Sequence, residues 1–171
     1  CRAYKITADN KYLNSIEKVY QSFLIDVKKG GVTFTDKDGS IWIEEYIMDN
    51  KPTHILNGFI WALWGIYDYW LLSKNEDVKI LFNNYVNTIS GNINRYDIGY
   101  WSLYELSQLN ISMRASTFYH KLHIVQLKIL SKMTNTDRFI NFSINWSKYL
   151  NKKTNILRAT FMKIVFKIFY Y

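Results

Sequence analysis

Apolar positions along this chain recur with two periods, and the changes of period mark its elements. After Asp9-Asn10, a capping pair, Leu13, Ile16, Tyr20, Phe23, Leu24 and Val27 fall at helical spacing until Gly30-Gly31 stops the run. The opening Cys1-Arg2-Ala3-Tyr4-Lys5-Ile6 reads as the tail of a helix already under way, so a fragment of a longer protein is expected. Val32 to Thr35 and Ile41 to Tyr46 are rich in β-branched and aromatic residues around Asp36-Lys37-Asp38-Gly39, which predicts a hairpin. Alternation along its second strand puts Trp42, Glu44 and Tyr46 on one face and Ile41, Ile43 and Glu45 on the other. Two adjacent carboxylates then cannot both reach water unless the strand lies over a cleft.

From His54 to Leu72 the residues are apolar nearly all round, the mark of a buried helix or a membrane span. His54, Asn57, Asp68 and the glycines in that run favour burial, because a central Asp alone costs about 2.5–3.5 kcal/mol on insertion. Asn75-Glu76-Asp77 caps a one-sided helix with Val78, Leu81, Phe82, Tyr85, Val86 and Ile89 on its stripe, ending near Gly91. Between Asn92 and Leu106 the period changes again, predicting a second short hairpin or an extended loop. Ser116-Thr117 caps a helix from Phe118 to Met133, with Phe118, Leu122, Val125 and Ile129 as the expected core stripe and Tyr119, His123 and Gln126 on a neighbouring face. Thr136-Asp137 opens another, with Phe139, Phe142, Trp146 and Tyr149 inward. From Ile156 to Tyr171 a basic amphipathic helix is expected, with Leu157, Phe161, Ile164, Val165 and Ile168 as its apolar face and Arg158, Lys163 and Lys167 beside it. All-round and one-sided helices alternate, as in an α/α toroid or a solenoid of helical hairpins, although no sequence repeat is present.

With 171 residues the chain is long enough to bury a core. Its formal charge of +8 and isoelectric point near 9.4 favour an anionic partner: an acidic polysaccharide, a nucleic acid or a membrane surface. Basic residues are scattered with no Arg-rich run, which leaves the nucleic-acid reading without a motif. Cys1 is the one cysteine, so an internal disulfide and a cysteine-based metal cluster are excluded. No signal-peptide pattern is visible.

Several stretches carry a resemblance when taken in order. They are Trp42-x-Glu44-Glu45-Tyr46, Leu56-Asn57-Gly58-Phe59, Gly65-Ile66-Tyr67-Asp68, Tyr96-Asp97-x-Gly99, Leu103-Tyr104-Glu105-Leu106 and Tyr119-His120-x-x-His123-Ile124-x-Gln126-Leu127. Together they resemble the C-terminal domain of the D-glucuronyl C5-epimerases, which turn glucuronic into iduronic acid within a polysaccharide. The likeness covers residues 1–150, leaving 151–171 as a separate C-terminal helix. It implies a mainly α fold, an incomplete α/α toroid with one or two short β-hairpins at its rim, and catalytic groups at Glu45, Tyr46, Tyr104 and Tyr119.

Inverting C5 of a uronate means taking a proton α to a carboxylate from one face of the ring and returning one to the other. A phenol can serve at either post. With 14 tyrosines in the chain, most must simply pack. Two departures from the family stand out: Ser107 follows Leu106 where much of the family has Arg, and Ile47-Met48-Asp49-Asn50-Lys51-Pro52 replaces a proline directly after the tyrosine. Arg95, Arg114 or a residue upstream of the chain is expected to meet the substrate carboxylate in place of the missing Arg. Trp42, Asn57, His120 and His123 complete the expected substrate-binding set. His120 and His123 are three apart with no carboxylate spaced to join them, so hydrogen-bonding roles outrank metal ligation.

The expected function is a uronyl C5-epimerase working on glucuronate residues of a capsular or lipopolysaccharide-type glycan, without metal or other cofactor. A uronate lyase sharing the C5 carbanion, or a non-catalytic glycan-binding module, are the alternatives. Expected partners are an acidic polysaccharide or uronate oligosaccharide, with a membrane surface or self-association through 156–171, in a cytoplasmic or membrane-peripheral setting.

Overall fold

The computed structural model describes residues 1–48 and 51–170. Asp49 and Asn50, part of the segment that departs from the family after Tyr46, and Tyr171, the end of the predicted C-terminal helix, lie outside the described residues. The chain runs through helices α1 (Arg2–Thr7) and α2 (Asn10–Ser22), strands β1 (Thr33–Thr35) and β2 (Ile41–Ile43), and helices α3 (Leu56–Ser73), α4 (Glu76–Asn92), α5 (Thr117–Thr134), α6 (Asp137–Leu150) and α7 (Lys153–Tyr170). It is mainly helical, with one antiparallel pair in which Phe34 faces Trp42.

Helix α3 is the hub. It packs on α4 and α5, and α5 in turn on α6. Leu56, Phe59, Ile60, Leu63 and Ile66 of α3 are fully buried, and no described helix is long and apolar enough to cross a membrane. α4 buries Val78, Phe82, Tyr85, Val86 and Ile89 of the stripe that its spacing predicts and half-buries Leu81, and α6 buries Phe139 and Trp146. Polar side chains fix the starts of these helices: Asn75 accepts from the Asp77 amide, and Ser116 from the Tyr119 amide.

Helix α2 stops at Ser22, well short of Gly30. The hairpin takes its carbonyls: Val32 N–H donates to Ser22 O, and Thr33 N–H to Ile25 O. Gly30 holds a φ of 83° that ends a short 3₁₀ turn over Val27–Lys29. Between Asn92 and Leu106 the chain makes a 3₁₀ turn at Ile93–Tyr96 and then an extended loop, with single bridges from Asp97 to Ser102 and from Leu103 to Arg114.

Two helices bury a different face from the one their apolar spacing suggests. In α5, Phe118 is 69% exposed and Val125 and Ile129 are also exposed, whereas His120, His123, Ile124, Gln126, Leu127 and Leu130 are buried. In α7, Leu157 and Phe161 are 70% and 64% exposed, and the buried residues are Ala159 and Phe166. In α5 the inward polar side chains each find a hydrogen-bond partner in the surrounding fold, although His123 Nε2 and Gln126 Oε1 are left without one.

A candidate active-site cleft

Where β2 ends, Glu44 and Glu45 part company. The Glu44 carboxylate is buried: Oε2 accepts from the Thr53 and His54 amides at 2.8 and 3.1 Å and from the Thr53 hydroxyl at 3.1 Å, and Oε1 meets His54 Nδ1 at 2.5 Å. Burial alone would raise its pKa, but the His54 and Thr53 hydrogen bonds outweigh it and hold the carboxyl below its usual range. His54 Nε2 reaches Asp36 Oδ1 at 3.3 Å, its ring stacks on Trp42, and its carbonyl accepts from the Tyr96 hydroxyl at 2.6 Å. This network pins the hairpin to the start of α3.

Glu45 turns the other way and lies against α3 at Gly58, where a Cβ would collide with its carboxylate oxygen. Removal from water raises its pKa. The next residue, Tyr46, is 56% exposed at the edge of an open cleft.

That cleft, about 1370 Å³, is lined by Tyr46, Tyr104 and Tyr119 together with Glu105, Ser107, Lys163 and Lys167. That volume exceeds the roughly 300–1,000 Å³ of a pocket that encloses one small ligand. Tyr104 is set by its backbone, whose amide donates to Met113 O at 2.8 Å and whose carbonyl accepts from Leu56 N–H at 3.1 Å at the uncapped start of α3. Tyr119 sits in the first turn of α5 and meets the Tyr104 ring edge-on, centroids 4.8 Å apart. Burial first, then the Glu45 charge and the neighbouring Tyr119, push the Tyr104 phenol well above its ordinary value. Tyr104 is therefore held protonated. Glu105 is raised by burial, against a 2.6 Å hydrogen bond from the Ser107 hydroxyl.

The residues expected to bind substrate lie outside this lining. Trp42, His120 and His123 have no exposed surface. His120 Nε2 lies 3.1 Å from Trp146 O and its Nδ1 2.8 Å from Ser102 Oγ, which also lies 3.0 Å from His123 Nδ1. Asn57 is buried in the first turn of α3, its carbonyl accepting from Gln126 Nε2 at 3.0 Å. Arg95 stands by the hairpin, 2.9 Å from Asn92 Oδ1 and 3.8 Å from Asp36 Oδ2, and Arg114 donates to Ser112 O at 2.6 Å. Lys163 and Lys167, which the sequence marks only as the basic side of an amphipathic helix beyond the family words, also line the cleft.

Residues 1–148 match the D-glucuronyl C5-epimerase C-terminus. The chain belongs to that family. It is 28% identical over 163 residues to the D-glucuronyl C5-epimerase of Caenorhabditis elegans, covering 86% of this chain and 26% of that protein. It is also 29% identical over 147 residues to an uncharacterized protein of Methanocaldococcus jannaschii, covering 84% of this chain and 46% of that protein. The chain thus spans less than half the length of these relatives. Helix α7 lies past the matched residues.

Proposed function

We propose that this chain is the catalytic-cleft part of a uronyl C5-epimerase that inverts glucuronate residues within a polysaccharide. The observation that carries the reading is the convergence of Tyr46, Tyr104 and Tyr119 on one open cleft in a member of this family. In the proposed reaction one tyrosine oxygen, as phenolate, takes the C5 proton, and the electron pair moves into the carboxylate as an enolate. A phenol on the other face then returns a proton to C5. Tyr104, kept protonated, suits the donor post, with Tyr119 and Tyr46 as the groups to complete the exchange and Glu45 acting on Tyr104 through its charge. The helical hairpins would form an arc of an incomplete α/α toroid, with the β1–β2 hairpin at its rim, and the rest of the ring would come from the parts of a longer protein that the relatives possess.

The test is deuterium uptake at C5 of a glucuronate-containing polysaccharide in heavy water, using the full-length protein that carries this chain. Tyr119→Phe and Tyr104→Phe are each expected to slow uptake by about 10²-fold or more while the unfolding midpoint stays put. Uptake at the unaltered rate in both variants would overturn the assignment. Growth of an unsaturated-uronate absorbance would instead identify a lyase, and glycan binding with no uptake a binding module.

A further inference from the structure

The proposed reaction builds negative charge on the substrate's carboxylate at the moment C5 loses its proton, so a cation is needed beside the phenols. Arg95 and Arg114 stand outside the cleft lining, and the Ser107 hydroxyl is spent on Glu105. Among the cations of the lining, Lys51 is exposed beside Pro52, whereas helix α7 sets Lys163 partly out of water. Lys163 is half-buried in the cleft wall, its Nζ 5.7 Å from the centre of the Tyr104 ring. Of its three N–H groups one points to Arg114 O at 3.4 Å. Lys167, one turn further along α7, lines the same cleft, as does Tyr119.

Resting on the epimerase reading, we propose that Lys163 binds the uronate carboxylate and holds the charge that spreads onto it when the C5 proton leaves, with Lys167 extending the same cationic wall. The chemical logic is that of an ammonium partly out of water, in a cleft lining that holds, among the described residues, Lys51, Lys167 and a single carboxylate, Glu105. Burial first, then Lys167, pull the Lys163 pKa down, with Glu105 opposing. A bound carboxylate would offset the loss of water and add a second anion to Glu105. The assignment also gives α7 a role in the site, although it falls outside the residues that match the family.

The experiment compares Lys163→Met and Lys163→Arg in the full-length protein. The probes are a hexasaccharide of alternating glucuronate and N-acetylglucosamine and its carboxyl-reduced counterpart. Lys163→Met is expected to bind the glucuronate form about 30-fold more weakly and the reduced form equally well, and to lower C5 deuterium uptake at saturation as well. Lys163→Arg should recover most of the binding. If Lys163→Met fails to fold, Lys167→Met should show a smaller loss, again confined to the carboxylate form. Equal weakening for both oligosaccharides, or wild-type binding and uptake, would overturn the role of Lys163 while leaving the epimerase reading intact. A wild-type protein that takes up no deuterium on any glucuronate glycan would instead overturn the epimerase reading on which this one rests.

Discussion

Glu44 and Glu45 are adjacent carboxylates in opposite settings. Glu44 is buried and hydrogen-bonded on both oxygens, so its carboxyl is held low, while Glu45 lies against Gly58 with its carboxyl raised by loss of water. The two should answer mutation differently. Glu44→Ala strips His54 Nδ1 of its partner and leaves the Thr53 and His54 amides buried and unpaired, which is expected to cost about 3–5 kcal/mol in urea unfolding. Because its folded-state pKa is depressed, the Glu44 contribution is present above the unfolded carboxylate pKa and is lost as pH falls through the folded value. Glu45→Gln should shift the unfolding free energy by no more than about 0.5 kcal/mol and move the alkaline limb of the C5-exchange profile to lower pH, since it removes a charge that holds the Tyr104 phenol up. Equal unfolding midpoints for the two variants would contradict this division.

Helix α5 carries both core and site, and it shows where sequence patterning stops being informative. α4 and α6 were legible because their buried faces are apolar at helical spacing. α5 was not, because its inward residues His120, His123 and Gln126 are polar and are accommodated by groups distant in sequence, namely Ser102, Trp146 O and Asn57 O. Such partners leave no periodic trace. The outward Phe118, Val125 and Ile129 mimic a core stripe. Tyr104 and Tyr119, singled out through the order of short words shared with a family, line one cleft, and so do Lys163 and Lys167, which lie outside those words. The buried histidines give α5 a pH signature. Burial lowers the pKa of His120 from 6.5 to about 4 and that of His123 to about 3, with a further push on His123 from His120. Both bind fewer protons folded than unfolded, so stability is full above about pH 6.5 and declines as pH falls toward 4. His123→Gln is expected to flatten the dependence of the urea midpoint between pH 6.5 and 4. An unchanged slope would place the acid sensitivity elsewhere.

At the scale of the molecule, α7 ties the family-matched body to the cleft. Its inner face, with Ala159, Lys163 and Phe166, meets the loop that carries Tyr104, and the Tyr170 hydroxyl accepts from the Ile111 amide at 3.4 Å. Its outer face leaves Leu157, Phe161, Ile164, Ile168 and Phe169 in contact with water. Truncation after Asn151 removes both faces at once, so it must be read beside a variant that alters only the outer one. The truncated protein gives up the burial of Phe166 and Ala159, a loss of roughly 2–4 kcal/mol, and should still unfold cooperatively on the core that α3, α4, α5 and α6 share. It should lose most affinity for the glucuronate hexasaccharide, because Lys163 and Lys167 leave with the helix. The double variant Phe161→Lys, Ile168→Lys keeps the inner face and should bind the hexasaccharide as wild type does, while light scattering reports less self-association. Binding that survives truncation would mean that the cleft draws its charge from elsewhere, and binding lost in the double variant would mean that the outer face, not the inner one, meets the glycan.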